Sequence, residues 1–359
     1  MRVLILGGSG RTGRRTAAEL ARHEEVTDLI VTGLDYEPLH RFASLFGERV
    51  RPARVDAEDS DDVRAACSQA DVLVNCAGPA HLTESAAAAG AIEAGVAYVS
   101  LCDDYAAAGA ALAMDGRARS TGALVIPGCG LSPGITTMLA RLAREELDDV
   151  EEIELSLAPS FGDLPTDAHA THLVHALSSP VPVISEREER IADSGGGPHL
   201  VYFPEPVGWV ETVTCAHADM HNLRSPELRG LTVRLGLTER AAMDALRALS
   251  SGPFSSFRAA RRALAVAQAL PPRGPQWSAA RLDVVGSRTG RTATVSLGVV
   301  DHLINLATAP LTLAAIELGS GRVEGSGVKS ADEVFDPGEF LAALGDRGIS
   351  VARLEAAPV

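Results

Sequence analysis

Two groups of residues in this 359-residue chain have types and spacings suited to chemistry. The first is a glycine series near the start, Gly7, Gly10 and Gly13, with Arg11 and Thr12 inside it. At that spacing Gly7 permits a tight turn, Gly10 lets the backbone approach a pyrophosphate, and Gly13 lets a helix pack closely on a strand. The second is a set of groups able to carry a proton, His81, Asp103, Asp104 and Tyr105, following short runs of small residues. Asp103 or Asp104 could equally hold a substrate ammonium, or cap the helix that follows. Cys102 reads as a small residue beside a ligand more readily than as a nucleophile.

The elements around these residues decide what they can do. Residues 3–6 form an apolar run that predicts a buried parallel strand, and residues 14–22 predict a helix. Strand, glycine turn and helix in succession is the setting of a dinucleotide-binding turn. The helix N-terminus offers free N–H groups and partial positive charge to the phosphates. A second strand at 29–32 leads to Asp35, placed to bond the adenosine ribose hydroxyls. A carboxylate there favours NAD, whereas Arg11, Arg14 and Arg15 could meet the 2′-phosphate of NADP, so the phosphate preference stays open. A third strand, 50–55, ends in Asp56 and Ala57, where the acid either bonds an adenine amino group or belongs to a helix cap. The strand at 71–75 runs into Cys76, Ala77, Gly78 and Pro79, small residues that let a backbone pass close to a cofactor. Strands at 97–101 and 123–126 alternate with helices at 84–94 and 106–120. This alternation predicts an α/β chain with a Rossmann-type doubly wound parallel sheet.

After a helix at 135–147 the grammar changes. Strands are expected at 150–157, 181–184, 200–203, 210–216, 232–235 and 281–287, and helices at 167–177, 238–249 and 255–269. Together they predict a second, mixed α/β domain with a largely antiparallel sheet. The expected division is an NAD(P)-binding domain at 1–130, a substrate and dimerisation domain at 131–300, and a segment at 301–359 that returns to the first. Ser132 and Thr136 stand where a helix N-terminus could bind a substrate carboxylate, although Ser132 could merely cap that helix. Cys215, His217, Asp219 and His221 alternate, so a strand would put them on one face. Neighbours on such a face lie roughly 7 Å apart, which strains a zinc site, and His217 with Asp219 suit a substrate-facing surface or a solvated one. His169, His172 and His175 recur every three residues without a matching carboxylate. No metal is expected.

Composition narrows the function. The net charge is −15, with acids dispersed along the chain, which argues against nucleic acid or a membrane surface as the main partner. Met1 leads straight into the first strand and no long uncharged apolar run occurs, so a cytoplasmic protein without a signal peptide is expected. The five cysteines are scattered and read as reduced thiols. Lys329 is the only lysine, which excludes a Tyr-x-x-x-Lys pair and makes a Schiff-base lysine in a pocket unlikely.

The stretch Gly130-Leu131-Ser132-Pro133-Gly134-Ile135 resembles the saccharopine dehydrogenase-like family. The glycine start, Asn75-Cys-Ala-Gly-Pro79, Tyr98-Val-Ser-Leu-Cys102-Asp103, Phe203-Pro-Glu-Pro-Val-Gly208 and Gly325-Ser-Gly-Val328 with Glu333 and Asp336-Pro337 add to it. The resemblance implies an NAD(P)-binding domain, a mixed second domain, a homodimer, and hydride transfer at a C–N bond of an amino acid or imine. Saccharopine-forming members carry acids at Ser132 and just before the Gly-Leu pair, where Pro127, Gly128 and Cys129 stand here. A different substrate is implied. A keto or enoyl reductase remains open, and so does a non-catalytic NAD(P)-binding redox sensor or scaffold.

Overall fold

The computed structural model describes residues 1–163, 167–250 and 276–355. They divide into two units, Met1–Gly134 with Ala307–Phe335, and Ile135–Leu306 with Asp336–Val359. The first boundary follows the Gly-Leu-x-Pro-Gly motif directly. The tail is shared, since Ala307–Phe335 joins the first unit and Asp336 onward the second.

The first unit is built on β1 (Arg2–Leu6), β2 (Asp28–Gly33), β3 (Val50–Arg54), β4 (Val72–Asn75), β5 (Ala97–Ser100) and β6 (Leu124–Ile126). With β15 (Gly327–Val328) they form a sheet in the order β15-β6-β5-β4-β1-β2-β3, and every pair is parallel. Strands covered by helices on both faces must be apolar on both, and Val3 to Leu6 and Val72 to Val74 are fully buried. The order reverses between β1 and β4, which opens a crevice at the carboxyl ends of those two strands.

Helices α1 (Arg11–Leu20), α2 (Tyr36–Ala43), α3 (Ser60–Cys67), α4 (Ala80–Ala94), α5 (Tyr105–Leu112) and α6 (Asp115–Thr121) connect these strands. The single helix expected at 106–120 is thus two, broken at Ala113 and Met114. Asp115, the first residue of α6, accepts the Val328 N–H at 3.0 Å and so is held to β15. The helix expected from 84 starts four residues earlier, directly after the cis Gly78–Pro79 bond. Proline fixes the backbone at the position before the helix and lets Ala80 begin it.

The second unit carries α7 (Ile135–Glu145), β7 (Asp149–Ala158), α8 (Asp167–Ser178), β8 (Val181–Ser185), β9 (Glu188–Ala192), β10 (His199–Phe203), β11 (Gly208–Thr214), α9 (Asp219–Asn222), β12 (Gly230–Gly236), α10 (Arg240–Ser250), β13 (Ser278–Arg288) and β14 (Arg291–Asp301). Its main sheet runs β10-β11-β12-β7-β13-β14-β16, where β16 is Val351–Leu354, and β8 and β9 pair alongside. All its pairs are antiparallel except β12 with β7. The sequence reading overlooked β9, β14 and β16. β13 and β14 form a long hairpin around Thr289 and Gly290, both at positive φ, the twist that suits a two-residue turn. The helix expected at 255–269 lies outside the described residues. Helix α11 (Leu303–Gly319) contains the division between the two units.

Candidate dinucleotide and substrate site

The glycine loop lies where the crevice opens. Gly7 has φ +70°, and a Cβ there would come within 2.7 Å of the Ala77 nitrogen and the Cys76 oxygen. The turn after β1 and the loop after β4 therefore touch through backbone alone. Gly8 N–H donates to the Thr32 carbonyl at 2.7 Å and Cys76 N–H to that of Leu6 at 3.0 Å, so β1, β2 and β4 all brace the turn. At Gly13 a Cβ would meet the Gly7 carbonyl oxygen at 2.2 Å, which is what seats α1 on the turn. Gly10 differs. A Cβ there would meet only the Gly7 oxygen, at 3.3 Å, so packing does not demand glycine at that position.

Gly10 is the N-cap of α1, with no side chain capping the helix and no acid in its first turn. An α-helix needs acceptors for its first N–H groups, and an anion is a natural one. Gly7, Gly10, Arg11, Thr12 and Gly13 thus form a cradle that fits a pyrophosphate. Cys76, Ala77, Gly78 and Pro79 border it from β4.

Asp35 and Asp56 stand just past the adjacent ends of β2 and β3, which Val55 N–H ties together by donating to the Gly33 carbonyl at 3.3 Å. Asp35 is exposed at the N-cap of α2, yet makes no capping bond. Of the competing arginines, Arg15 pairs with Glu19 at 2.6 Å. Asp56 accepts the Glu58 N–H at 3.0 Å and is partly engaged in its own turn, beside Ala57. The cap of α3 is Asp59, which accepts from Asp61 and Asp62.

The loops after β5 and β6 meet over the same sheet edge. Asp104 is buried and caps α5, accepting the Ala107 N–H at 2.8 Å, so of the two acids it is the structural one. Asp103, Tyr105 and His81 are half-buried, on the β5–α5 loop, the first turn of α5 and the first turn of α4. Cys102 is buried and donates to the Asp104 carbonyl at 3.8 Å. Burial first, then the charges of Glu84 and Asp103, push its thiol well above the usual range, which disfavours the thiolate.

The sequence reading passed over the most buried acid of this unit. Glu84, on α4, is 1% exposed. Its Oε1 accepts the Ser100 hydroxyl at 2.9 Å and its Oε2 the Asn75 amide at 3.2 Å. The Tyr98 hydroxyl is a further partner, and it also accepts from Asn75 at 3.0 Å. A signal was present: α4 is apolar or small nearly all round, so an acid away from its end is apt to be buried with the helix.

In the second unit the structure corrects the reading of residues 215–221. β11 ends at Thr214 and the chain turns helical at Asp219, so Cys215, His217, Asp219 and His221 do not alternate along a strand. Asp219 is fully buried and accepts the Thr136 hydroxyl at 3.1 Å and 3.2 Å. The His217 ring Nδ1 accepts the Asp219 N–H at 3.3 Å. Thr136 and Asp219 were expected to contact substrate. They hydrogen-bond each other and tie α7 to α9, and His217 is drawn into the same cluster. Ser132, half-buried, precedes the cis Ser132–Pro133 bond in the first unit.

Residues 3–126 match the family model described as the saccharopine dehydrogenase NADP binding domain. This stretch belongs to that domain family. A nicotinamide dinucleotide is therefore the cofactor. Solved structures extend the likeness over the whole chain at the level of fold. Saccharopine dehydrogenase (L-Glu forming) from Saccharomyces cerevisiae superposes with a TM-score of 0.70 at 14% identity, covering 99% of this chain and 100% of that one. Homospermidine synthase from Legionella pneumophila, solved in complex with NAD, gives 0.65 at 12% identity, covering 98% and 91%. No curated protein sequence matches the chain. Residues 3–126 are thus an NAD(P)-binding domain of the saccharopine dehydrogenase type, and the whole chain shares the fold of saccharopine dehydrogenase. Among the described residues no helix is long and apolar enough to cross a membrane.

Proposed function

We propose that the chain transfers a hydride between NAD(H) and the C–N carbon of an amine, amino acid or imine. The observation that carries this reading is the uncapped start of α1 beside Gly10, a position where packing leaves room for an anion and does not itself require glycine. The bound nicotinamide would supply the hydride acceptor or donor. In the oxidative direction the amine carbon loses a hydride and its nitrogen loses a proton, leaving an imine.

The chain's own residues must orient the substrate and take that proton. Asp103, His81 and Tyr105 are the half-buried candidates at the β4 and β5 ends, and we assign the proton transfer to Asp103 and His81. Ser132 is the remaining candidate for a substrate carboxylate. NAD is favoured over NADP because Asp35 is exposed and uncommitted to its helix, while Glu37 adds a second negative charge beside it. The domain family is named for NADP, and Asp35 is the residue that turns the preference toward NAD here.

Support for C–N chemistry comes from the two fold relatives, one named for saccharopine and the other for homospermidine. A homodimer in the cytoplasm completes the reading. The acidic chain with all five cysteines outside disulfides fits that compartment, and sedimentation of the purified protein tests the dimer.

The reaction is tested by supplying NAD⁺ with panels of amines, amino acids and hydroxy acids, and NADH with keto acid–amine mixtures. Turnover is expected from the C–N panels and is expected to fall about a hundredfold or more in Asp103→Asn, in the range of a lost general acid–base. Turnover from hydroxyl or enoyl compounds alone would move the assignment to a keto or enoyl reductase. Cofactor binding without turnover of any panel would favour the sensor reading.

A further inference from the structure

Glu84 joins three strand ends through hydrogen bonds. Asn75 is the last residue of β4, Ser100 the last of β5, and Gly128 lies two residues past β6. Beyond its bond to Glu84, Asn75 accepts the Ala77 N–H at 2.9 Å. Ser100 accepts two amides, from Cys102 and from Gly128, each at 3.2 Å. The loops expected to border the nicotinamide are thus fastened to one buried carboxyl group.

Counting donors shows why its charge matters. A serine hydroxyl has one proton to give and two lone pairs to fill. Both lone pairs of Ser100 are taken by the two amides, so its proton goes to Glu84. Ionised Glu84 accepts from Ser100, Asn75 and Tyr98, and the set closes. A proton placed on Glu84 needs an acceptor of its own. It must displace one of the amides on Ser100 or turn the Tyr98 hydroxyl away.

The surroundings put this proton within reach. Burial pushes the Glu84 carboxyl up to about 7, with Asp103 raising it further and the Tyr98, Ser100 and Asn75 bonds opposing. The other groups around α4 are Cys102 and Asp104 on the β5–α5 loop, and the buried Cys67 thiol of α3, pushed up to about 12. The cations of α3 and α6, Arg64 and Arg117, pair with Glu93 near the opposite end of α4.

We propose that Glu84 is a positioning residue for the nicotinamide end of the site: ionised, it fixes the Cys102 and Gly128 amides through Ser100, and protonated, it displaces one of them from Ser100. This rests on the reading that the ends of β4, β5 and β6 border the nicotinamide.

The test compares NADH with ADP-ribose, which keeps the adenosine and pyrophosphate but lacks the nicotinamide. Both are titrated into the full chain from pH about 5.5 to 8.5, chosen to bracket the raised carboxyl. ADP-ribose affinity is expected to stay nearly constant. The ratio of NADH to ADP-ribose affinity is expected to rise about tenfold with pH in the parent, a change of about 1.4 kcal/mol. Glu84→Gln should make the ratio low and independent of pH, and Ser100→Ala should do the same. Tyr98→Phe removes a bond that holds the carboxyl down, so the midpoint should move to higher pH while the rise persists. A purely structural role would not move that midpoint. Unchanged ADP-ribose affinity shows that a variant folds. A parent ratio that ignores pH, or the same rise in Glu84→Gln, overturns the inference. If NADH and ADP-ribose both fail to bind the parent, the dinucleotide reading falls and this inference with it.

Discussion

Replacing Gly13 with alanine is expected to abolish NADH binding and to destabilise the first unit. The added Cβ would lie 2.2 Å from the Gly7 oxygen, 2.8 Å from the Gly7 carbonyl carbon and 2.9 Å from the Gly8 Cα. All three are backbone atoms, and none can rotate aside. Helix α1 must lift off the turn, at a cost of about 1–3 kcal/mol as for other overpacked sites. Its N-terminal amides then lose their aim at the pyrophosphate, and a loss of at least about a hundredfold in affinity, roughly 2.7 kcal/mol, is expected. Gly10→Ala provides the contrast. Its Cβ touches only one atom, at 3.3 Å, and its backbone, φ −72° and ψ 167°, suits any residue. The protein should keep its stability while NADH affinity falls about tenfold or more. Amide hydrogen exchange of β1 and β4 reads the first effect and NADH titration the second. Gly10→Ala protein that binds NADH like the parent would show that no phosphate approaches that position.

The second large effect lies in the other unit. Arg281 on β13 is 2% exposed and grips Asp283 with two bonds of 2.7 Å while donating to the Tyr202 carbonyl at 2.8 Å. Residues two apart on a strand share a face, so the pair ties its own strand to β10. Ser296 of β14 also donates to Asp283. Arg281→Ala leaves a half-covered carboxylate and a buried carbonyl without their cation, and a loss of about 3–5 kcal/mol is expected. Arg281→Met with Asp283→Leu should cost less than the single change, because no charge is left stranded. Both tryptophans, Trp209 and Trp277, belong to the second unit, so denaturant unfolding followed by their fluorescence reports this unit. A loss below about 1 kcal/mol in Arg281→Ala would mean that water replaces the guanidinium at little cost.

The parallel sheet was readable because its strands are short apolar runs ending in glycine or small residues, and both features survive in a single sequence. The glycine turn was readable for the same reason. Residues 215–221 misled because alternation is a local signal, whereas Asp219 is placed by Thr136 from a distant helix. β14 was missed although Thr-Gly followed by alternating residues marks the turn and the strand. Glu84 escaped because an acid in an alanine-rich helix resembles a solubilising charge, as the exposed Glu93 of the same helix is. Only the positions of Asn75, Tyr98 and Ser100 show that it faces inward. The role of Cys102 turned on burial, which composition does not report.

The proposal that most needs testing is that this chain selects its nicotinamide dinucleotide at Asp35. Paired titration of the purified full chain with NADH and NADPH, followed by nicotinamide fluorescence, tests it most directly. Saturable NADH binding is predicted, at least about tenfold tighter than NADPH, since Asp35 repels the 2′-phosphate that NADPH adds. Failure of both to bind folded, cofactor-free protein would contradict the account at the glycine cradle itself.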